Sequence, residues 1–330
     1  MIGKSRRLIV GSAGSSNSFG TIQSVRDHYG DSVFVIATDT NRRELVAASV
    51  LADAFVRVPL ARSPEFPEAL RAIAASYPGA HYLPIHDEEI EVAACLAAEG
   101  TLPPGLELIS PSYDIVRLCS DKWAMHQWLG ANGLPSPETA LATLAAAEKM
   151  RRPMILKPRE GTGSRDVRLI HDTAELAGID PNRWLVQERL HMPEVAIDVF
   201  LSRNAGVFCC VCRENIERRL GFPTLKYRIF NDSILGSIAE GLARRLPIFG
   251  SFLCQVMRDA ASRWQIIDVN PRVGNATRMS AVLDVDFAAA NLADFWGEPA
   301  ETVLTPLTGE HYVVRQFANY VTSSNKNRRS

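Results

Sequence analysis

The first third of the chain alternates short apolar runs with stretches of helical pattern, and this alternation limits the fold more than any other feature of the sequence. The apolar runs are Leu8–Val10, Val33–Ala37, Tyr82–Ile85 and Glu107–Ile109. The helix candidates between them are Gly20–His28, Pro67–Ser76 and Glu88–Glu99. Strands interleaved with helices are typical of an open sheet with helices on its faces. We therefore predict an amino-terminal α/β domain with buried parallel strands.

The pattern changes near residues 110–120, where we place the main domain boundary. Helices are predicted at Ser120–Ala131 and Ala140–Lys149, with Gly133–Pro137 as a terminator between them. Strand then follows strand: Met154–Leu156, Val167–Ile170, Trp184–Leu190, Val195–Ser202 and Val207–Arg213. Consecutive strands favour hairpins, so this half is predicted to be α+β with mainly antiparallel pairing.

Composition excludes several classes of protein. With 330 residues, the chain is long enough for two or three domains. Its 36 basic residues nearly balance 37 acidic ones, so bulk charge favours neither nucleic acid nor membrane as a partner. No apolar run is long enough for a transmembrane helix or a signal peptide. The six cysteines are scattered without paired Cys-x-x-Cys units, which argues against zinc and favours a reduced, cytoplasmic setting.

A polar strand end, Gln265–Arg272, carries the first candidate for chemistry. Asp268 and Asn270 are two residues apart on one strand, so they point to the same face about 7 Å apart, while Ile267 and Val269 would face the core. If this strand forms a hairpin with Phe252–Met257, centred between Ala261 and Ser262 with a loop of about four residues, Gln255 lies opposite Asp268.

Cross-strand neighbours have Cβ atoms about 5 Å apart. Three oxygen ligands would then converge on a magnesium ion. The alternative is that Asp, Asn and Pro only end the strand as turn formers. For this motif by itself, the two interpretations weigh equally.

Two further segments have the residues that a nucleotide requires. Lys157–Asp166 is a basic, glycine-containing loop between two predicted strands, and its backbone amides could bind phosphate. A plain surface hairpin is the alternative, but Lys157 ends an apolar strand, where a cation is normally avoided unless it meets an anion. Trp184–Leu190 ends in polar residues, with Glu194 six residues after Glu188. It could hold adenine and ribose, or be a solvated edge strand.

Other candidates are weaker. The turn Gly11–Ser16 opens a helix, where amides can bind an anion. Asp39 at the end of the second strand keeps nucleotide binding by this segment open as a minor option. His86 could contact a substrate, although a helix capped by Asp87 is the favoured interpretation. The basic residues that could grip a substrate carboxylate are Arg219, Lys226, Arg228 and Arg278. Most of these four are expected to be solvated surface residues.

Taken together, these motifs resemble the ATP-grasp superfamily. Within it, they are most similar to the ligases related to the carbamoyl phosphate synthetase large chain. The matching segments are Ser120–Trp123, Gly133–Pro137, Leu156–Pro158, Gly163–Arg165, Val186–Glu188 and Asp268–Arg272. Leu8–Gly14, Ala52–Ala54 and Pro84–Glu88 resemble the domain that precedes ATP-grasp in that family. The resemblance covers about residues 7–297.

The resemblance implies an α/β plus α+β architecture, with ATP between two antiparallel sheets. The implied limits are a pre-ATP-grasp domain at 1–115, a small subdomain with the glycine loop at 116–190, a carboxyl-terminal subdomain with the metal site at 191–322, and a disordered tail at 323–330.

The resemblance also implies a role for each site residue. Lys122 and Lys157 contact the phosphates, and the loop of Gly161, Thr162, Gly163, Ser164 and Arg165 closes over them. Gln187, Glu188, Arg189 and Leu190 hold adenine, with Glu194 on the ribose. Gln255, Asp268 and Asn270 bind Mg²⁺ (or Mn²⁺), and Arg272 steadies the transferring phosphoryl group. Two residues depart from the family's pattern: Asp268 stands where Glu is usual, and Asp166 where glycine is usual.

The activity implied is that of an ADP-forming ligase, which activates a carboxylate as an acyl phosphate and joins it to an amine. ATP-dependent carboxylation, simple acyl-phosphate formation or non-catalytic ATP sensing are the alternatives. The expected partners are a small-molecule carboxylate and amine, with no nucleic acid or membrane, and a homodimer is possible.

Overall fold

The computed structural model describes residues 6–161, 166–203, 206–217, 224–274, 276 and 278–323, which contain three β-sheets. The first sheet is parallel, with strand order β3-β2-β1-β4-β5. Its strands are β1 (Arg6–Val10), β2 (Val33–Asp39), β3 (Ala54–Arg57), β4 (His81–Leu83) and β5 (Glu107–Leu108). The helices around it are α1 (Ser16–Tyr29), α2 (Phe66–Ser76) and α3 (Asp87–Ala98).

The predicted open parallel sheet is therefore confirmed. Leu8, Ile9 and Val10 are each 0% exposed, because helices cover both faces of such a sheet. Helix α1 begins four residues earlier than predicted, since the Ser15 side chain accepts a hydrogen bond from the Ser18 amide and caps the helix. Strand β3 was not predicted, because it is short and only its first residue is buried.

Two helices, α4 (Tyr113–Ser120) and α5 (Lys122–Ala131), connect the first sheet to the second. The predicted helix Ser120–Ala131 is divided at Asp121, whose carboxylate accepts hydrogen bonds from the Trp123 and Ala124 amides and caps α5. The second sheet is antiparallel, with order β6-β9-β7-β8. Its strands are β6 (Thr139–Leu141), β7 (Met154–Pro158), β8 (Arg168–Ile170) and β9 (Trp184–Glu188).

The helix predicted at Ala140–Lys149 is wrong. Thr139–Leu141 pairs with β9 as an edge strand, and only the short α6 (Leu144–Ala147) follows. The alanine-rich sequence favours a helix locally, but pairing with β9 supplies hydrogen bonds and burial that outweigh this propensity.

The third sheet is antiparallel, with order β14-β13-β10-β11-β12-β15. Its strands are β10 (His191–Leu201), β11 (Phe208–Asn215), β12 (Lys226–Phe230), β13 (Gly250–Arg258), β14 (Trp264–Asn270) and β15 (Glu310–Val314). Helices α7 (Ser233–Arg245), α8 (Arg278–Ala281) and α9 (Phe287–Phe295) complete this part of the chain. Leu235 of α7 and Phe287 of α9 belong to two separate buried clusters of this sheet.

The hairpin β13–β14 has the predicted pairing of Gln255 with Asp268, but it contains a bulge. Val256 pairs with Ile266, so Ile267 is an extra residue and the connection is five residues, 259–263, rather than about four. The bulge also corrects the predicted faces of the strand. Ile266 and Val269 are in the core cluster, whereas Ile267 is not.

In the part of the chain that the structure describes, no helix has the length and apolarity needed to cross a bilayer. The tail predicted to be disordered lies outside the described residues, apart from Ser323.

Candidate active site

A cavity of about 760 Å³ lies between the second and third sheets, and loops of the first sheet close one end of it. Lys157 and Gln187 of the second sheet line one wall, and Gln255, Asp268 and Asn270 of the third sheet line another. The volume is within the range of small-molecule sites. The strands therefore bring together candidate residues that are more than 100 positions apart in sequence.

The oxygen ligands predicted for a metal lie together on β13 and β14. Gln255 Nε2 donates to Glu194 Oε1 over 2.6 Å, and Asn270 Nδ2 donates to Asp268 Oδ2 over 3.0 Å. Both amides thus turn their nitrogens toward carboxylates, and the Asn270 oxygen also lies 3.2 Å from Arg272 Nη2. Among the described residues no group of three His, Cys, Asp or Glu could hold a metal ion. Two amide oxygens with a carboxylate form a hard donor set that fits Mg²⁺.

Lys157 is only 8% exposed, although it carries a charge. Its amine donates to Gln187 Oε1 over 3.0 Å, and Gln187 Nε2 donates to Thr139 Oγ1 over 2.8 Å. Burial lowers the pKa of Lys157 to about 8; nearby Asp268 opposes this shift and Lys122 adds to it. A buried ammonium held by a neutral amide is poised to attract a mobile anion.

The start of the glycine loop is anchored to helix α5. Arg159 donates to both carboxylate oxygens of Asp121 over 2.8 and 2.6 Å, and Lys122 Nζ donates to the Gly161 carbonyl over 2.7 Å. Thr162, Gly163, Ser164 and Arg165 lie outside the described residues. Asp166 has φ +62°, the left-handed conformation that suits the glycine usual in the family. Asp tolerates this conformation better than most residues, which accounts for its presence there.

The predicted adenine and ribose residues are only partly gathered. Glu188, Leu190 and Glu194 line the cavity, whereas Arg189 is exposed and does not. Glu188 Oε1 accepts the Glu138 amide over 2.9 Å, so this carboxylate is already bound within its own sheet. Apolar surface comes from residues that sequence reasoning missed, namely Ile155, Met192, Met257 and Ile267. For Ile267 the missing information was the bulge.

Arg272 contacts the first domain. Its Nε donates to Asp87 Oδ1 over 2.5 Å, and its Nη2 lies 3.3 Å from Asp87 Oδ2 and 3.2 Å from Asn270 Oδ1. The prediction that Asp87 caps helix α3 is wrong. His86 Nδ1 accepts the Glu88 amide over 3.4 Å as the cap, and Asp87 is the first helical residue. Both His86 and Asp87 line the cavity. An acid at the carboxyl end of a parallel strand was the available signal for Asp87.

The helix start predicted to attract an anion also reaches the cavity, through Ser15, Ser16 and Asn17. Asp39 does not line it. Asp39 Oδ2 accepts the Gly14 amide over 2.6 Å and Oδ1 accepts the Asn41 amide over 2.8 Å. Asp39 therefore holds the turn after β1.

Three of the four basic residues considered for substrate binding lie away from the cavity. Lys226 pairs with Glu217 over 2.8 Å, Arg228 with Glu214 over 2.8 Å, and Arg278 with Asp27 over 2.5 Å. None of these three lines the cavity, in agreement with the expectation for most of them. Arg219 lies outside the described residues.

Two antiparallel sheets that enclose a cavity, with a buried lysine facing oxygen ligands, define the class of the ATP-grasp domains. Residues 119–276 match the family model described as "ATP-grasp domain". Residues 119–276 are therefore assigned to the ATP-grasp superfamily, as the motifs implied.

Two curated relatives match parts of the chain. The uncharacterized protein y4rH of Sinorhizobium fredii is 35% identical over an alignment of 115 residues, and the match covers 32% of this chain. The carbamoyl phosphate synthase large chain of Streptomyces griseus is 22% identical over an alignment of 213 residues, and the match covers 57% of this chain. These matches span only 23% and 19% of the two relatives' own lengths.

Solved structures share the fold. The biotin carboxylase–β-γ-ATP complex from Campylobacter jejuni superposes with a TM-score of 0.73 at 17% identity, covering 94% of this chain and 75% of the carboxylase. An L-amino acid ligase from Bacillus licheniformis gives a TM-score of 0.67 at 17% identity, covering 87% of this chain and 73% of the ligase. At these identities the likeness shows the fold alone.

Proposed function

We propose that this protein is an ADP-forming ligase that uses ATP to activate a small-molecule carboxylate as an acyl phosphate and then joins it to an amine. The observation that carries the proposal is the buried Lys157 facing Gln255, Asp268 and Asn270 across one cavity. A triphosphate with its magnesium ion is a ligand that needs both a buried cation and a set of hard oxygen donors.

In this proposal, each group of cavity residues has its own role. Lys157 and Lys122 bind the phosphates, next to Gly161, whose carbonyl accepts a hydrogen bond from Lys122. Glu188 through Leu190 hold the base, and Glu194 reaches the ribose. Gln255, Asp268 and Asn270 would hold Mg²⁺, which would supply positive charge to offset that of the phosphates. The proposal also includes the domain limits, which are 1–115 for the first domain, 116–190 for the small subdomain and 191–322 for the carboxyl-terminal subdomain.

The chemistry proceeds in two balanced steps. A substrate carboxylate oxygen attacks the γ-phosphorus, the bond to the β-phosphate oxygen breaks, and ADP leaves. The amine nitrogen then attacks the acyl carbon, inorganic phosphate leaves, and the amine loses a proton. Lys157 and Arg272 stabilise the charge that spreads over the transferring group.

A carboxylase is the second candidate, because a biotin carboxylase shares the fold with the higher of the two TM-scores. Its activated acid would be bicarbonate. ADP release with a panel of carboxylates, each with and without amines, distinguishes the two: a ligase requires an organic acid and an amine, whereas a carboxylase requires bicarbonate. A sensor would bind ATP and release no ADP under any of these conditions.

Magnesium–ATP titration of the double variant D268A/N270A tests the site itself. We expect the affinity to fall by at least about tenfold, because two of three protein ligands are lost. The melting temperature of the free protein should change little, since both side chains line the cavity. Equal affinity in the intact and the double-variant protein would contradict the nucleotide site, with either Mg²⁺ or Mn²⁺.

A further inference from the structure

The first residue of helix α3, Asp87, contacts Arg272, which lies two residues after the end of β14. We propose that Asp87 is a positioning residue that orients Arg272, and through it the Asn270 amide, for phosphoryl transfer. The inference rests on the proposed function and deepens it, because it makes the first domain part of the catalytic apparatus.

The contact between the two side chains is two-pronged. Arg272 Nε and Nη2 lie 2.5 and 3.3 Å from the two oxygens of Asp87. A carboxylate that contacts two nitrogens of a guanidinium restricts the plane of the group as well as its location, which one contact cannot do. Both residues line the cavity, so the orientation is set where a phosphoryl group would be transferred.

Arg272 transmits this orientation to the metal ligands. Its Nη2 lies 3.2 Å from Asn270 Oδ1, and Asn270 Nδ2 donates to Asp268 Oδ2 over 3.0 Å. The amide is thus held with its oxygen toward a cation and its nitrogen toward a carboxylate. If Arg272 rotated away, the Asn270 side-chain oxygen would lose the contact that fixes its orientation.

Asp87 is itself held by the first sheet. Glu89, two residues later, is 4% exposed, and its carboxylate accepts hydrogen bonds from Ser12 Oγ over 2.9 Å and Tyr82 OH over 2.6 Å. A Cβ at Gly11 would overlap this carboxylate, so the turn after β1 and the start of α3 are packed in direct contact. Asp87 therefore projects from a rigid base.

The pair is poorly suited to a purely stabilising role. The Asp87 side chain is 32% exposed and Arg272 12% exposed, and partly solvated ion pairs contribute little to folding. The position of the pair in the cavity wall, beside Asn270, accounts for it better.

The test compares D87N and D87E with E88Q as a matched control. Glu88 is the next residue, is 48% exposed and pairs with Arg62 over 3.3 Å, so E88Q removes one charge from the same helical turn without touching the cavity. We expect D87N to keep magnesium–ATP affinity within about threefold while ADP release slows by about 10- to 100-fold, as misplacement of a catalytic group does. D87E should restore part of the rate, and E88Q should behave as the unaltered protein.

A nucleotide-free readout separates this proposal from the proposed function. The Nε–H signal of Arg272 in the nitrogen-15 NMR spectrum, assigned by its loss in R272K, should be protected from solvent exchange and should lose protection in D87N but not in E88Q. If the protein never releases ADP, the ligase proposal fails while this readout still judges Asp87. Unchanged protection in D87N, or tighter binding of magnesium–ATP in that variant, would overturn the positioning role.

Discussion

Arg213 and Lys157 are both more than nine-tenths buried, at 5% and 8% exposure, but their surroundings differ. Arg213 makes a two-pronged ion pair with Asp198 across β10 and β11, with Nη2 to Oδ1 at 3.0 Å. Burial opposes its charge, yet Asp198 raises the pKa of Arg213 above its usual value. Lys157 contacts the neutral amide of Gln187, and burial lowers its pKa to about 8.

This difference indicates that Arg213 is a cation that stabilises the fold, whereas Lys157 is a cation that binds a ligand. The charge of Arg213 is matched by a carboxylate within the fold, and the pair supports the loop at Gly274, where a Cβ would lie 2.6 Å from Asp198 Oδ1. Lys157 has the Asp268 carboxylate nearby, but its hydrogen bond goes to the neutral Gln187 amide, so its charge is available to a bound anion. The four predictions that follow test this contrast, from the largest expected effect to the smallest.

Asp198→Ala should destabilise the protein more than any other change considered. It leaves Arg213 buried without its counterion, and breaking such a pair costs about 3–5 kcal/mol of unfolding free energy. Urea unfolding measures the loss. The double variant D198A/R213M, which removes both charges, should recover much of it. If D198A unfolds like the unaltered protein, the pair is not structural.

Lys157→Met should have opposite effects on stability and binding. Burial lowers the pKa of Lys157 from 10.5 to about 8, so the buried charge costs up to about 3 kcal/mol of unfolding free energy. Removing this charge should make the free protein more stable near neutral pH. Magnesium–ATP affinity should fall by about 10- to 100-fold, because a charged hydrogen bond to phosphate is lost. K149M, at an exposed lysine, is the control; loss of stability in K157M would count against the contrast.

Magnesium–ATP binding should weaken as pH rises through about 8, the pKa of Lys157 in the free protein. Phosphate favours the charged form, so affinity should fall by up to about tenfold per pH unit above this value. Stability of the free protein should change in the opposite direction. Between pH 8 and 10.5 the unfolded chain binds more protons than the folded one, so unfolding free energy rises across this window. K157M should show neither dependence.

Thr21→Val should stabilise the protein by about 1 kcal/mol, the smallest of the four effects. Thr21 is 2% exposed, and its hydroxyl is the buried side-chain group without a hydrogen-bond partner among the described residues. Thr139→Val provides the contrast, because the Thr139 hydroxyl bonds both Gln187 and the Pro137 carbonyl. Thermal melting should therefore move in opposite directions for the two variants.

The amino-acid sequence alone predicted several features of the fold and of the candidate site. The alternation of apolar runs predicted the parallel sheet, and the two-residue spacing on β14 with a hairpin register predicted the pairing of Gln255 with Asp268. These features are local or nearly so, and strand alternation and strand pairing obey simple periods. Lys157 was also identified in sequence, because a cation at the end of an apolar strand is unusual.

Other features were decided only when distant segments met. Thr139–Leu141 became a strand because β9 lay beside it, and a single bulge moved Ile267 from the predicted core to the cavity wall. Asp87, expected to cap a helix, instead contacts Arg272, which is 185 residues away in sequence. The contact forms because the start of α3 and the segment after β14 meet at one end of the cavity. Neither local propensity nor spacing contains this information, since it depends on which surfaces pack against each other.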